Sequence, residues 1–217
     1  MLFRSYRDKD KVYHEDRNLT PQEFYQKYVG MSLRDYVPVI HEPTPDKPLH
    51  RLIQFHGIEN MSDSDMKALH LSQEELEELC IKQLKAGQAV WFACDAGAFG
   101  ARKDGVWDPD SVQYEALLGG FSTDMPKGER LQYGSSSATH AMLLTGVHFD
   151  ADGKADRWKI ENSWGKDVGD QGYFVCSAKY FKEYVYEAVI DGRHFSPEQA
   201  AMLKTEPVVI NAWDEDA

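Results

Sequence analysis

Thr139-His140-Ala141-Met142-Leu143-Leu144-Thr145-Gly146-Val147 and, after a turn, Trp158-Lys159-Ile160-Glu161-Asn162-Ser163-Trp164-Gly165 decide how this chain folds. Residues 140–149 are a nearly continuous apolar run, which reads as a buried strand. Asp152-Gly153 supplies a turn. Residues 157–161 then alternate, with Trp158 and Ile160 facing one side. The spacing predicts one antiparallel strand pair. His140 opens its first strand and Asn162 closes its second, 22 residues on. Such a pair brings the chain back to its starting level, so His140 and Asn162 can come close. Trp164, two residues further, can lie over them.

Outward from this pair, residues 172–176 and 184–190 read as two more strands, and residues 88–94 as a short apolar one. Three helix starts are written locally. Thr20-Pro21-Gln22-Glu23 places an N-cap, a proline at the first helical position and an acid at the third. Ser72 with Glu75 and Ser196 with Gln199 repeat the pattern. In the second helix Leu76, Leu79, Cys80, Gln83 and Leu84 share one face, and Gly87 ends it. Residues 111–118 suggest a short helix. Residues 1–19 are charged and expected to be irregular, residues 96–105 and 119–137 to be loops, and the tail from 206 to start extended. Three prolines in residues 41–48 mark a linker and the best boundary. Helices, then a run of strands, predict an α+β chain with a twisted or barrel-like antiparallel sheet.

Composition narrows the possible functions. A chain of 217 residues, 42% hydrophobic and 28% charged, can bury one substantial core as a folded soluble protein. A net charge of −12 disfavours nucleic acid as a partner. No apolar stretch is long enough to span a bilayer, and the charged start has no apolar signal core. Cys80, Cys94 and Cys176 are an odd number without paired spacing, so neither a disulfide framework nor a zinc site is expected, and a reducing cytoplasm is the simplest compartment. The histidines are scattered with no metal-binding spacing, so no metal or other cofactor is expected.

The chemistry rests on His140, Asn162 and Trp164 together. An imidazole can hold and pass a nucleophile's proton once a third group fixes the ring. An asparagine oxygen can do this without adding charge, and a tryptophan beside the pair excludes water. Taken singly, each has a structural reading: a rim histidine, a strand-ending asparagine, a core tryptophan. His148, on the same strand, has no motif around it and reads as structural. Cys80 and Cys176 read as small core hydrophobes. Cys94, at a strand end, and Ser135-Ser136-Ser137, before His140, leave a thiol- or serine-hydrolase reading open, though the serines read more simply as a flexible connection.

The two motifs closely resemble the aminopeptidase C / bleomycin hydrolase family of papain-like cysteine peptidases. So do Thr20-Pro21-Gln22-Glu23-Phe24-Tyr25, Ile81-Lys82-Gln83-Leu84-Lys85, Val90-Trp91-Phe92-Ala93-Cys94-Asp95, Gly172-Tyr173-Phe174-Val175 and Glu206-Pro207-Val208-Val209. The resemblance runs over essentially the whole chain and over the C-terminal half of a typical member. It implies an α+β papain-like cysteine proteinase fold, the barrel-like antiparallel sheet half with flanking helices, and no N-terminal helical half. On that basis residues 1–50 are expected as an accessory helical and extended segment, 51–205 as the barrel half, and 206–217 as a C-terminal arm.

Carried over, His140 matches the family's catalytic histidine, Asn162 its orienting asparagine and Trp164 the tryptophan that shields them. The family's terminal carboxylate engages the substrate's free amine, a role that would fall to Ala217. The ending Asp214-Glu215-Asp216-Ala217 departs from the usual small, apolar one. The family's nucleophile lies upstream in a Gln…Cys-Trp segment, and no cysteine here precedes a tryptophan, so no nucleophile is assigned. The resemblance therefore implies the C-terminal portion of a cysteine aminopeptidase acting on peptide substrates, with an N-terminal half as partner supplying Cys and Gln. The competing reading is a catalytically inactive truncated domain that acts as a binding or assembly module. A half-fold leaves an apolar face bare, so a homo-oligomer is expected.

Overall fold

A computed structural model describes residues 2–57, 65–120, 122 and 124–211, with backbone alone at residues 2 and 3. The first 35 residues form a unit of their own. β1 (Leu2–Arg7) and β2 (Tyr13–Leu19) pair antiparallel, and α1 (Pro21–Tyr28) follows. The irregular stretch expected at residues 1–19 is thus a hairpin. Its turn is closed by the Asp8 carboxylate, which accepts from the N–H groups of Asp10 and Val12 at 2.9 and 3.0 Å. The Tyr6 ring stacks on His14 at 5.0 Å. Charges lie on both faces of this exposed ribbon, so no period-two apolar signal marks it in the sequence. α1 starts as expected, with Thr20 and Glu23 in a reciprocal capping box.

The second unit begins at Tyr36. Its elements are β3 (Tyr36–Ile40), β4 (Arg51–His56), β5 (Met66–His70), α2 (Gln73–Lys85), β6 (Val90–Cys94), β7 (Gly100–Ala101), β8 (Val106–Trp107), α3 (Tyr114–Leu117), α4 (Lys127–Gln132), β9 (His140–Phe149), β10 (Ala155–Glu161), β11 (Tyr173–Ser177), α5 (Ala178–Tyr184), β12 (Val185–Asp191), α6 (Pro197–Met202) and β13 (Val208–Asn211). Among the described residues the sheet has eleven strands in the order β13-β4-β5-β3-β12-β6-β9-β10-β11-β8-β7. Most neighbours are antiparallel, and β11–β8, β13–β4 and β3–β5 are parallel. α4 lies within the expected loop of residues 119–137. Neither the hairpin β4–β5 nor α5 stands out in the sequence, because their apolar positions are few and short. No helix among the described residues is long and apolar enough to cross a membrane.

α2 and α5 cover one face of the sheet. α2 buries Leu76, Leu79, Cys80 and Gln83. Gln83 satisfies its own burial, donating to Ala89 O at 2.9 Å and accepting from the Asp191 N–H at 2.8 Å. Trp158 of β10 stacks on Phe181 of α5 at 4.2 Å. Around them Phe92, Leu144, Ile160, Cys176 and Ala188 are fully buried. Alternate residues point the other way, and there Trp91 and Leu143, paired across β6 and β9, are 40% and 37% exposed.

Two histidines link this unit's stability to pH. His41 donates through Nδ1 to Leu71 O at 2.9 Å, and burial lowers its pKa from 6.5 to about 4. His70 is buried, accepts the Glu42 N–H on Nε2 at 3.2 Å, and is also lowered by burial. The folded state holds both rings neutral while the unfolded chain protonates them below about 6.5. At these two rings the unfolded chain therefore binds more protons in this window, and their contribution to stability is lost as pH drops from 6.5 towards 4, while Glu187, raised to about 7 by burial, contributes in the opposite direction. His41→Gln is expected to raise the urea midpoint at pH 5 relative to its value at pH 6.5, compared with the same difference in the parent protein. An unchanged difference in that variant would refute the linkage.

Candidate active site

The central strands carry the site. β6 and β9 pair so that Cys94 lies opposite His140, and β9 and β10 pair so that Leu143 lies opposite Glu161. Asn162 therefore follows the end of β10 at the same edge of the sheet where β9 begins. Its N–H donates to Gly172 O at 3.1 Å, which closes the loop of residues 163–171 against the start of β11.

His140 Nε2 lies 2.9 Å from Asn162 Oδ1. A carbonyl oxygen only accepts, so Nε2 carries the proton and donates it. The same Oδ1 accepts the Ser163 N–H at 2.8 Å, which fixes the orientation of the amide. With Nε2–H held, Nδ1 of the neutral ring is the nitrogen able to take up and return a proton. The Trp164 ring stacks on His140 at 4.9 Å with 19° between planes. Trp164 in turn meets Phe174 edge-on at 5.7 Å and Trp107 at 5.9 Å. The structure thus brings His140, Asn162 and Trp164 together. Asn162 Nδ2 is buried and has no partner among the described residues.

The segment of chain leading into His140 is tied down by a network that sequence reasoning missed. Ser136 is buried, and its hydroxyl donates to Asp95 Oδ2 at 2.7 Å. The Tyr186 hydroxyl, 2.6 Å from Ser136 Oγ, then donates to it, because the carboxylate takes the serine proton. Thr139 N–H donates to Cys94 O at 3.0 Å, and Thr139 Oγ1 accepts the Ala96 N–H at 3.1 Å. The expected flexible connection is therefore a strap tied to the end of β6. Three adjacent serines in a polar segment give no hint that the middle one is buried.

None of the three thiols is a thiolate at neutral pH. Cys80, Cys94 and Cys176 are all fully buried. Burial pushes the Cys94 thiol up to about 12 and raises the other two above the ordinary thiol range. Cys94 faces the core. Ser136 spends its proton on Asp95, while Ser137 is exposed. His148, outside this cluster, pairs with Asp156 at 2.5 Å on the surface. Among the described residues no group of three or more His, Cys, Asp or Glu side chains is placed to hold a metal ion. Ala217 lies outside the described residues.

The family model described as the Peptidase C1-like family matches residues 2–217. The chain is 38% identical over 210 residues to aminopeptidase C of Listeria innocua, covering 96% of this chain and 47% of that protein. It is 40% identical to aminopeptidase C of Streptococcus thermophilus, covering 97% and 47%. It is 37% identical to human bleomycin hydrolase, covering 96% and 47%. A crystal structure of PepW from Lactobacillus rhamnosis HN001 superposes with a TM-score of 0.90 at 41% identity, over 98% of this chain and 48% of that one. The chain therefore spans about half the length of these relatives.

Proposed function

We propose, from the premise that this chain belongs to the peptidase C1-like family and has a papain-like α+β fold, that it is the C-terminal portion of a cysteine aminopeptidase and supplies that enzyme's base and orienter. The observation that carries the reading is the His140–Asn162 hydrogen bond beneath the Trp164 ring. The thiol, and a glutamine for the oxyanion, come from a polypeptide segment outside these 217 residues. His140 Nδ1 takes the thiol proton, and the thiolate attacks the carbonyl carbon of the substrate's first peptide bond. The imidazolium returns the proton to the departing amine, leaving an acyl thioester. Water, deprotonated by the same nitrogen, then releases the N-terminal residue as its acid. Asn162 holds the ring through both steps. The Ala217 carboxylate is assigned to the substrate's free amine, and the cytoplasm to the enzyme. Trp91 and Leu143, paired across β6 and β9 and each more than a third exposed, support self-association of the chain.

A second reading is favoured by the burial of all three thiols: a non-catalytic binding or assembly module. One experiment separates the two. The chain is assayed with a fluorogenic aminoacyl substrate alone and after refolding with the N-terminal half of an aminopeptidase C, with light scattering read in both states. The expected result is no turnover alone, thiol-dependent turnover together, and an oligomer larger than one chain at micromolar concentration. Failure of every N-terminal half to restore turnover would favour the module. A clean monomer would remove the proposed self-association.

A further inference from the structure

Trp164 belongs to the irregular loop after β10, yet its ring must stay stacked on His140 for the site to keep its geometry. Phe174 and Trp107 support it from within the core. A further contact comes from the tip of the β7–β8 hairpin, where the Arg102 guanidinium lies 4.5 Å from the Trp164 ring centre. This hairpin is held firmly. Asp104 and Gly105 N–H both donate to Ala101 O at 3.0 Å. Val175 N–H of β11 donates to Gly105 O at 2.8 Å. Gly105 has φ +70°, and a Cβ there would stand 2.8 Å from Gly169 Cα, so only glycine allows the approach. The second strand of the hairpin, β8, carries Trp107, whose Nε1 donates to Ala96 O at 3.1 Å. One short hairpin therefore presents both Trp107 and Arg102 to the same indole.

We propose that Arg102 is a positioning residue for His140: its guanidinium, seated over Trp164, keeps the indole stacked on the imidazole. The inference rests on the reading of His140 as the base, but the stack itself can be tested without catalysis. A cation over an exposed tryptophan face favours the stacked arrangement about two- to fivefold over the open one. An arginine is suited to this, because its planar guanidinium lies flat on a ring. Arg102 is itself exposed, so its replacement removes this contact without opening the core.

The test uses the 217-residue chain with labelled histidines, His140 being identified by the signal lost in His140→Gln. In the intact protein the Trp164 ring current displaces the His140 carbon-bound ring protons. Arg102→Gln, similar in size but uncharged, is expected to reduce that displacement as the stacked fraction falls two- to fivefold relative to the open one. Arg102→Lys, which keeps the charge, is expected to retain most of it. The melting midpoint is expected to move by less than about 2 °C. Unchanged His140 signals in Arg102→Gln would overturn the proposal. So would a larger drop in melting midpoint accompanying the shift, which would make Arg102 a support of the fold and not of the stack. Because the readout is spectroscopic, a failed complementation assay would leave this result interpretable.

Discussion

In a peptidase assembled from this chain and the segment bringing the thiol, His140→Ala is expected to lower kcat/KM by about 10⁴-fold, and Asn162→Ala by about 10- to 100-fold. The asymmetry follows from the role proposed for each group. Without the imidazole no group at the site takes the thiol proton or returns it to the leaving amine, and both halves of the reaction stall. Without the asparagine the ring remains but loses its 2.9 Å tether. That tether is a neutral hydrogen bond, worth about 1–3 kcal/mol where water is excluded, which converts to the smaller factor. Trp164 still covers the ring in Asn162→Ala, so part of the orientation survives. Steady-state kinetics on the two variants check the ordering. Equal losses would mean that Asn162 does more than orient, and no loss in His140→Ala would remove the histidine from the mechanism.

Lys127→Ala is expected to destabilise the second unit by about 3–5 kcal/mol, lowering its melting midpoint by roughly 10 °C. Lys127 opens α4 and is buried. Its ammonium donates to Gln73 Oε1 at 2.9 Å, Lys182 O at 3.2 Å and Val185 O at 2.6 Å. Two of these are carbonyls at the C-terminal end of α5, where backbone acceptors lack helical partners and the helix dipole favours a cation. Burial still draws the lysine's pKa down to about 7, a sign of how unfavourable the charge would be without those acceptors. Truncation leaves all three acceptors dry and opens a cavity beside Tyr186, whose ring lies 4.8 Å from the ammonium. Next to it, a Cβ on Gly128 would stand 2.1 Å from Pro43 O, so Gly128→Ala is expected to dislodge the same helix. Urea unfolding of Lys127→Ala checks the magnitude. A loss under about 1 kcal/mol would mean that water replaces the ammonium.

These two sites differ in how far they could be read in advance. His140, Asn162 and Trp164 were legible because one strand pair carries all three, and the register of a hairpin follows from its own alternation and turn. The caps at Thr20, Ser72 and Ser196 were legible because each bond spans three residues, and all three formed as reciprocal boxes. Lys127 and Ser136 were not legible. Both sit in a polar, glycine-bearing segment, and nothing nearby in the chain states that one meets carbonyls 55 and 58 residues away or that the other meets Asp95 at 41. The hairpin of residues 2–19 escaped for the opposite reason: it is local, but exposed on both faces, so burial leaves no periodic mark.

By itself, then, the sequence determined the helix starts, the β9–β10 pair and the identity of the imidazole, amide and indole that this pair gathers. Only the tertiary structure decided that β6 lies beside β9 and lays Cys94 against His140, that three neighbouring strand pairs run parallel, and that the polar run before His140 is a tied strap. The division is physical. Local choices are set by bonds that close within a few residues and cost little chain entropy. The others are set by which distant groups are desolvated together, and that is defined only once the core has formed.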